Sequence, residues 1–364
     1  MKLNWLRSVI PLLFSCIACD SKSLYNLSIQ QLKDLVKSKD LQVIKNVLKY
    51  EGAFAVTNLS AEYSEALKDL KLNSPDCLHS LRYPEFVLPD GSIRTTFASE
   101  TEEYPPCLSK TSSVISAEMN RVYSEVAQLL EHVAGENSLL WRPNKDSQPK
   151  QFADLPKKEH IHVYQSSEEE EKGGNFAAPF HTDSGILLLL TPFQEHPLKI
   201  RTLGGQTIDT SEVGDDSIMI LIARGLPDWL LRGSRESKEF MPAPHAVETL
   251  PSSIKYRTIF ARMMVAPLEA EPAGPLTQKT KFGDIFFQKG SHQGDLCPLN
   301  NESGVEMRSA PEVVRVERSQ QGHAHVSNVK WDKLKSEECS GNSSYCWMGC
   351  YPLPTCDLSR VLTS

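Results

Sequence analysis

The chain has 364 residues, 40% hydrophobic and 23% charged, with 19 Gly and 23 Pro. That composition excludes a disordered, collagen-like or coiled-coil protein, and the length is ample for a sizeable core. A formal net charge of −7 argues against a nucleic-acid partner, which would need a basic face, and no run of 18 apolar residues offers a membrane span.

Residues 1–7 carry Lys2 and Arg7 and no acid; residues 8–19 (SVIPLLFSCIAC) form an apolar run too short to cross a bilayer, and the polar DSKS follows. This layout predicts a signal peptide over 1–18, cleaved near Ala18 or Cys19, and a protein that is secreted or held in the secretory-pathway lumen. Cysteine usage agrees. Of nine cysteines, Cys16 and Cys19 lie in the leader, Cys77 and Cys107 in the first third, and five from Cys297 onward. Cys339, Cys346, Cys350 and Cys356 crowd the C-terminus without the CxxC pair of a zinc site, and in an oxidising compartment they read as a disulfide-stapled tail of undetermined pairing. Sequons at Asn26, Asn58, Asn301 and Asn342 are compatible with glycosylation.

After the leader, residues 28–50 hold two short amphipathic helices with apolar residues at spacings of three and four, stopped at Gly52. Residues 53–58 (AFAVTN) read as a strand. A longer helix starts near Thr111, with the stripe Ile115, Met119, Val122, Val126, Leu129 and Val133 packing on a sheet. After Pro156 the pattern changes to strands at 160–165, 185–191, 217–223 and 256–265, separated by Gly, Pro, Asp and Ser clusters. Helices first and strands later predict an α+β chain with an antiparallel β core. The regions are a helical part with the first strand (19–155), a β core (156–290) and a Cys-rich extension (291–364). The acidic run 168–171 reads as a solvated loop.

The chemistry-bearing stretch is Phe180-His181-Thr182-Asp183-Ser184-Gly185, directly before an apolar strand. On extended backbone His181 and Asp183 point to one side. One further His completes a 2-His-1-carboxylate face with open positions, the donor set of non-haem Fe(II). Pro244-His245-Ala246-Val247 supplies it, 62 residues beyond Asp183. Arg257 lies 12 residues further on, in the strand that ends before Pro267, and Tyr164 lies on the strand before the motif. His160 and His162 share a face and form a rival metal pair by ligand type.

This order resembles the isopenicillin N synthase-like family of Fe(II)/2-oxoglutarate oxygenases: a strand with Tyr, then HTDSG and an apolar strand, then HxV, then an Arg strand ending in Pro. The resemblance covers roughly residues 28–267. It implies a double-stranded β-helix, or jelly roll, with N-terminal helices and the Cys-rich C-terminal extension outside it. It implies iron ligands His181, Asp183 and His245, and a 2-oxoglutarate site with Arg257 and Tyr164 on the distal carboxylate. Phe180, Thr182 and Met263 are candidate substrate-pocket residues. Two positions depart from the family pattern: Ile259 stands where the family has Ser or Thr, and His162 where it has Asn. The implied activity is oxidation of a small-molecule or peptide substrate by hydroxylation, desaturation or cyclisation. O2 would be consumed, succinate and CO2 released, and ascorbate would serve as an accessory reductant. The alternatives are an iron-dependent oxidase that does not use 2-oxoglutarate, and a catalytically silent secreted jelly-roll binding module.

Overall fold

A computed structural model describes residues 23–286, except 84, 89, 167–175, 193–197, 252 and 276, together with the backbone of 313–318 and 324–329. The leader, the acidic run and all five C-terminal cysteines lie outside the described residues.

Strand β1 (Asn26–Ser28) runs straight into helix α1 (Ile29–Ser38) because Ser28 caps it. The Ser28 hydroxyl accepts from the Gln31 N–H, and Gln31 Oε1 accepts from the Ser28 N–H. Helix α2 (Gln42–Tyr50) follows, and Gly52, at φ 66°, turns the chain into β2 (Ala53–Thr57). A Cβ at Gly52 would lie 2.2 Å from the Met241 carbonyl oxygen, so only glycine fits the turn. Both predicted helices and the first strand are present.

Helix α3 (Ala61–Ser80) and the strands β3 (Glu85–Val87) and β4 (Ile93–Ser99) come next, and none of them was expected from the sequence pattern. α3 does bury a stripe of Tyr63, Leu67, Leu70, Cys77 and Leu78, but Pro75 inside it masks the helical period. Helix α4 (Ser109–Ala134) buries its whole predicted apolar stripe.

Cys77 of α3 and Cys107 are joined in a disulfide, Cα atoms 6.1 Å apart across 30 residues. Closing a loop of that size restricts the unfolded chain by about 3–4 kcal/mol. Cys107→Ser should therefore cost about that much stability in urea unfolding. An unchanged midpoint would show that the bridge contributes nothing.

Past β5 (Trp141–Arg142) the chain is mostly strands: β6 (Lys157–Gln165), β7 (Phe176–His181), β8 (Leu187–Leu190), β9 (Leu198–Arg201), β10 (Thr207–Asp209), β11 (Ile218–Ile222), β12 (His245–Glu248) and β13 (Tyr256–Met264). β14 (Glu271–Pro272), a short helix α5 (Phe282–Phe286) and the hairpin β15 (Val313–Arg318)/β16 (Ala324–Val329) complete the described elements. Ten strands form one sheet in the order β1-β2-β11-β8-β13-β6-β4-β3-β15-β16, and four form a second, β10-β9-β12-β7. Pairing is antiparallel throughout the two sheets except between β1 and β2. Strands from both sides of Pro156 share the large sheet, so the change of pattern there marks a change of local period within one layer. The β15/β16 hairpin, from the C-terminal extension, joins the edge of that sheet through Arg315 opposite Phe86.

Alternation along the strands makes two cores. On one face of the large sheet, Ile161, Val163 and Phe260 pack with residues of α1–α4. On the other, Leu188, Leu190, Met219, Ile259 and Met263 pack with Ala177, Ile200 and Val247 of the small sheet. The protein is thus mixed α+β with large antiparallel sheets, helices behind one face and an enclosed interior between the sheets. No helix among the described residues is long and apolar enough to cross a membrane.

Candidate active site

His181 ends β7 and His245 opens β12, and the two are cross-strand partners with ring centroids 4.4 Å apart. His181 Nε2 lies 4.0 Å from Asp183 Oδ1, and His245 Nε2 lies 3.7 Å from Asp183 Oδ2. One ligand atom from each residue falls within 4.8 Å of the others, and among the described residues this is the one such cluster of three. Each imidazole is held from behind. His181 Nδ1 is 2.8 Å from the Pro179 carbonyl oxygen and His245 Nδ1 is 3.0 Å from that of Ala243. A carbonyl only accepts, so each Nδ1 carries the hydrogen and each Nε2 keeps its lone pair for a metal. Burial, reinforced by neighbouring His245, pulls the His181 pKa down to about 4 against the opposing pull of Asp183. His181 is therefore neutral at pH 7. Two imidazoles and one carboxylate converging in this way fit an Fe(II) ion with open positions.

The backbone around the motif is locked by close approach. The Arg224 N–H donates to the Asp183 carbonyl at 2.9 Å, and the Gly225 N–H donates to the Gly185 carbonyl at 2.7 Å. A Cβ on Gly185 would sit 2.1 Å from Met263 Sδ, and one on Gly225 would sit 2.5 Å from the Gly185 carbonyl oxygen. The glycine after HTDS thus lets β8 lie against Met263 while Asp183 stays beside the histidines.

Arg257 and Tyr164 are cross-strand partners on β13 and β6 and face the interior. The guanidinium carbon lies 4.9 Å from the Tyr164 ring centroid, and Nη2 donates to the Glu248 carbonyl at 2.9 Å. Ile259, two residues on, points into the same interior and is 2% exposed. Thr258 faces the other way, its hydroxyl 2.7 Å from that of Ser74 on α3. Arg262 also lies behind the sheet, fully buried. It donates to Glu159, Asn120 and the Ser116 carbonyl.

His160 and His162 share the interior face with their rings stacked at 5.5 Å, but no third ligand joins them among the described residues. His160 is 1% exposed and neither ring nitrogen has a hydrogen-bond partner. Burial first, then the charges of Lys158 and Arg94, push its pKa well below the ordinary value. The fold accepts only the neutral ring, whereas the unfolded chain gains a proton below about pH 6.5. Stability present at pH 7.5 is therefore lost as the pH falls below that value, by about 1.4 kcal/mol per pH unit for this group. His160→Phe should flatten the acid limb of urea midpoint against pH. An unchanged limb would place the acid sensitivity elsewhere.

No family model and no curated protein matches the sequence. Solved structures match in fold. A full-length Neurospora crassa protein, crystallised in complex with alpha-KG, gives a TM-score of 0.52 over 74% of this chain and 97% of that one, at 14% identity. A putative oxygenase from Shewanella oneidensis gives 0.51 over 72% and 96%, at 14% identity. JOX2, in complex with 2OG, Fe and JA, gives 0.51 over 72% and 83%, at 12% identity. This chain shares the fold of those three structures.

Of the remaining sequence-derived site residues, Met263 lies in the interior against Gly185, and Thr182 sits half-buried between the two ligands of the motif. Phe180 is not brought to the cluster. Its ring lies against Phe176 and beneath the exposed Arg201 guanidinium, 4.1 Å from it, on the outward side of the small sheet. Sequence reading missed Arg94 and Thr96 of β4, which stand opposite Tyr164 and His162. The strand IRTTFAS turns the polar Arg94 and Thr96 inward, so it lacks the apolar-in, polar-out alternation that would announce it.

Proposed function

We propose that the protein is a non-haem Fe(II)- and 2-oxoglutarate-dependent dioxygenase on a double-stranded β-helix of the isopenicillin N synthase-like kind. It would oxidise a small-molecule or peptide substrate in the secretory pathway or outside the cell. The observation that carries the reading is the convergence of His181, Asp183 and His245 with both Nδ1 atoms tied to carbonyls. Arg257 and Tyr164, on the interior face of the sheet opposite, support the cosubstrate. When bound, iron supplies oxidation of a substrate C–H bond by O2 coupled to conversion of 2-oxoglutarate to succinate and CO2. His181, Asp183 and His245 would hold the metal. Arg257 would offer a planar fork to the distal carboxylate, with Tyr164, on whose ring it is stacked, as its partner there. Leu188, Leu190 and Met219 line the interior and keep water from the reacting carbon. The leader-like N-terminus and the Cys77–Cys107 bridge support an exported protein.

Protein loaded with Fe(II) under nitrogen should form succinate from 2-oxoglutarate on admission of air, with ascorbate present. The Asp183→Ala protein should form none. Absence of succinate from the iron-loaded wild type would favour a second reading, an iron oxidase that draws all electrons from its substrate. The observation behind that reading is Ile259, which puts a methyl-bearing chain in the interior where a hydroxyl would assist Arg257.

A further inference from the structure

The interior between the sheets is chemically divided. β8 and β11 present Leu188, Leu190, Met219 and Leu221, while β4, β6 and the start of β13 present guanidinium, hydroxyl, imidazole and phenol groups. Arg94 is part of the polar half. Along β4, Arg94 pairs with Tyr164 and Thr96 with His162, while the next residue, Phe97, belongs to the helix-side core with Ile161 and Val163. Arg94 and Thr96 therefore point inward, on the same side as Tyr164.

Arg94 and Arg257 have separate seats. Arg257 stacks on Tyr164 and is tied to the Glu248 carbonyl of the small sheet. The Arg94 guanidinium lies 5.8 Å from the ring centroid of Phe86, its cross-strand partner on β3. Two strand spacings put the two Cα atoms roughly 10 Å apart. One arginine suffices for the distal carboxylate of 2-oxoglutarate. Beside Arg94 the Thr96 hydroxyl lies 2.9 Å from His162 Nδ1, and the His162 ring is stacked on His160. Burial and the Arg94 charge both keep His162 neutral. A fixed cation with a hydroxyl and a neutral imidazole beside it, facing an aliphatic wall, matches a molecule with one anionic end and an apolar body.

We propose that Arg94, with Thr96 and His162, holds a carboxylate of the substrate that is oxidised, so that this substrate is a small organic acid with an apolar body. The inference rests on the oxygenase reading above and narrows its substrate class. Its test uses the full chain loaded with Fe(II) and 2-oxoglutarate under nitrogen and titrated with phenylacetate or with phenylacetamide, its charge-free match, by ligand-observed NMR. Phenylacetate should bind at least about tenfold tighter than the amide. Arg94→Gln should weaken the acid on the order of 30-fold and erase the preference, leaving the amide unchanged. Arg94→Lys should keep part of it, since a point charge replaces a fork. Affinity for 2-oxoglutarate, measured in the same samples, should hold in Arg94→Gln and fall in Arg257→Ala. Equal binding of acid and amide by the wild type overturns the proposal, as does a preference that survives Arg94→Gln. A fall in 2-oxoglutarate affinity in Arg94→Gln equal to that in Arg257→Ala overturns it too, and assigns Arg94 to the cosubstrate. Failure of the oxygenase reading shows separately, as wild-type protein that retains no iron or binds no 2-oxoglutarate before either probe is added.

Discussion

His181→Ala, Asp183→Ala and His245→Ala should each strip the protein of iron and of succinate formation while the fold persists. The loss of affinity should exceed the ~10–100-fold that removal of a supporting residue costs at a metal site, because each change deletes one of three donors. The fold should survive because the backbone contacts that shape the motif, Arg224 N–H to Asp183 and Gly225 N–H to Gly185, do not involve the deleted side chains. His181 and Asp183 also keep about a fifth of their side-chain surface in solvent, so their truncation opens no sealed cavity. Metal content by mass spectrometry and a thermal melt measured on the same sample separate the two outcomes. Normal iron occupancy in any one of the three variants would sink the assignment of that residue.

Arg257→Ala should leave iron in place and raise the apparent KM for 2-oxoglutarate by on the order of 30-fold or more. Arg257 is 8% exposed, and burial pulls its pKa down against the charges of Tyr164, Asp90 and Glu248. An arginine kept in such a place is positioned to meet an anion, and its loss strands that anion without a counter-charge. Arg257→Lys should rescue only in part, because the Glu248 carbonyl and the Tyr164 ring together orient a planar group. Arg262→Ala separates cosubstrate binding from structure. It removes the partner of buried Glu159 behind the sheet, so it should cost about 3–5 kcal/mol of stability with the 2-oxoglutarate KM of the folded fraction unchanged. If Arg257→Ala leaves that KM unchanged, Arg257 is not the clamp; if oxidation continues with no 2-oxoglutarate added, the reading that rests on Ile259 replaces the first.

The sequence by itself determined the elements whose local pattern is strong. α1, α2, β2 and the stripe of α4 are readable because amphipathic period and burial coincide there. It also determined the identity of the three candidate ligands and the opposite facing of Arg257 and Arg262, which strand alternation fixes once β13 is recognised. Pattern fails where polar residues face inward or a breaker sits inside an element. Pro75 hides α3, and the inward Arg94 and Thr96 hide β4, so the share of the polar interior that β4 supplies was invisible. Only the tertiary structure decided which distant residues meet. His245 reaches His181 because β12 pairs with β7, and Arg94 reaches Tyr164 because β4 pairs with β6, neighbours that no local period encodes. The same holds for Phe180. It sits in the motif, yet the β7–β12 register shifts between Val247 and His245 while the chain advances from Ala178 to His181, and the ring ends up under Arg201 instead of facing the metal ligands. Periodicity is a property of one strand, whereas a site is a property of the ladder that joins several, and the ladder is set by packing across the whole interior.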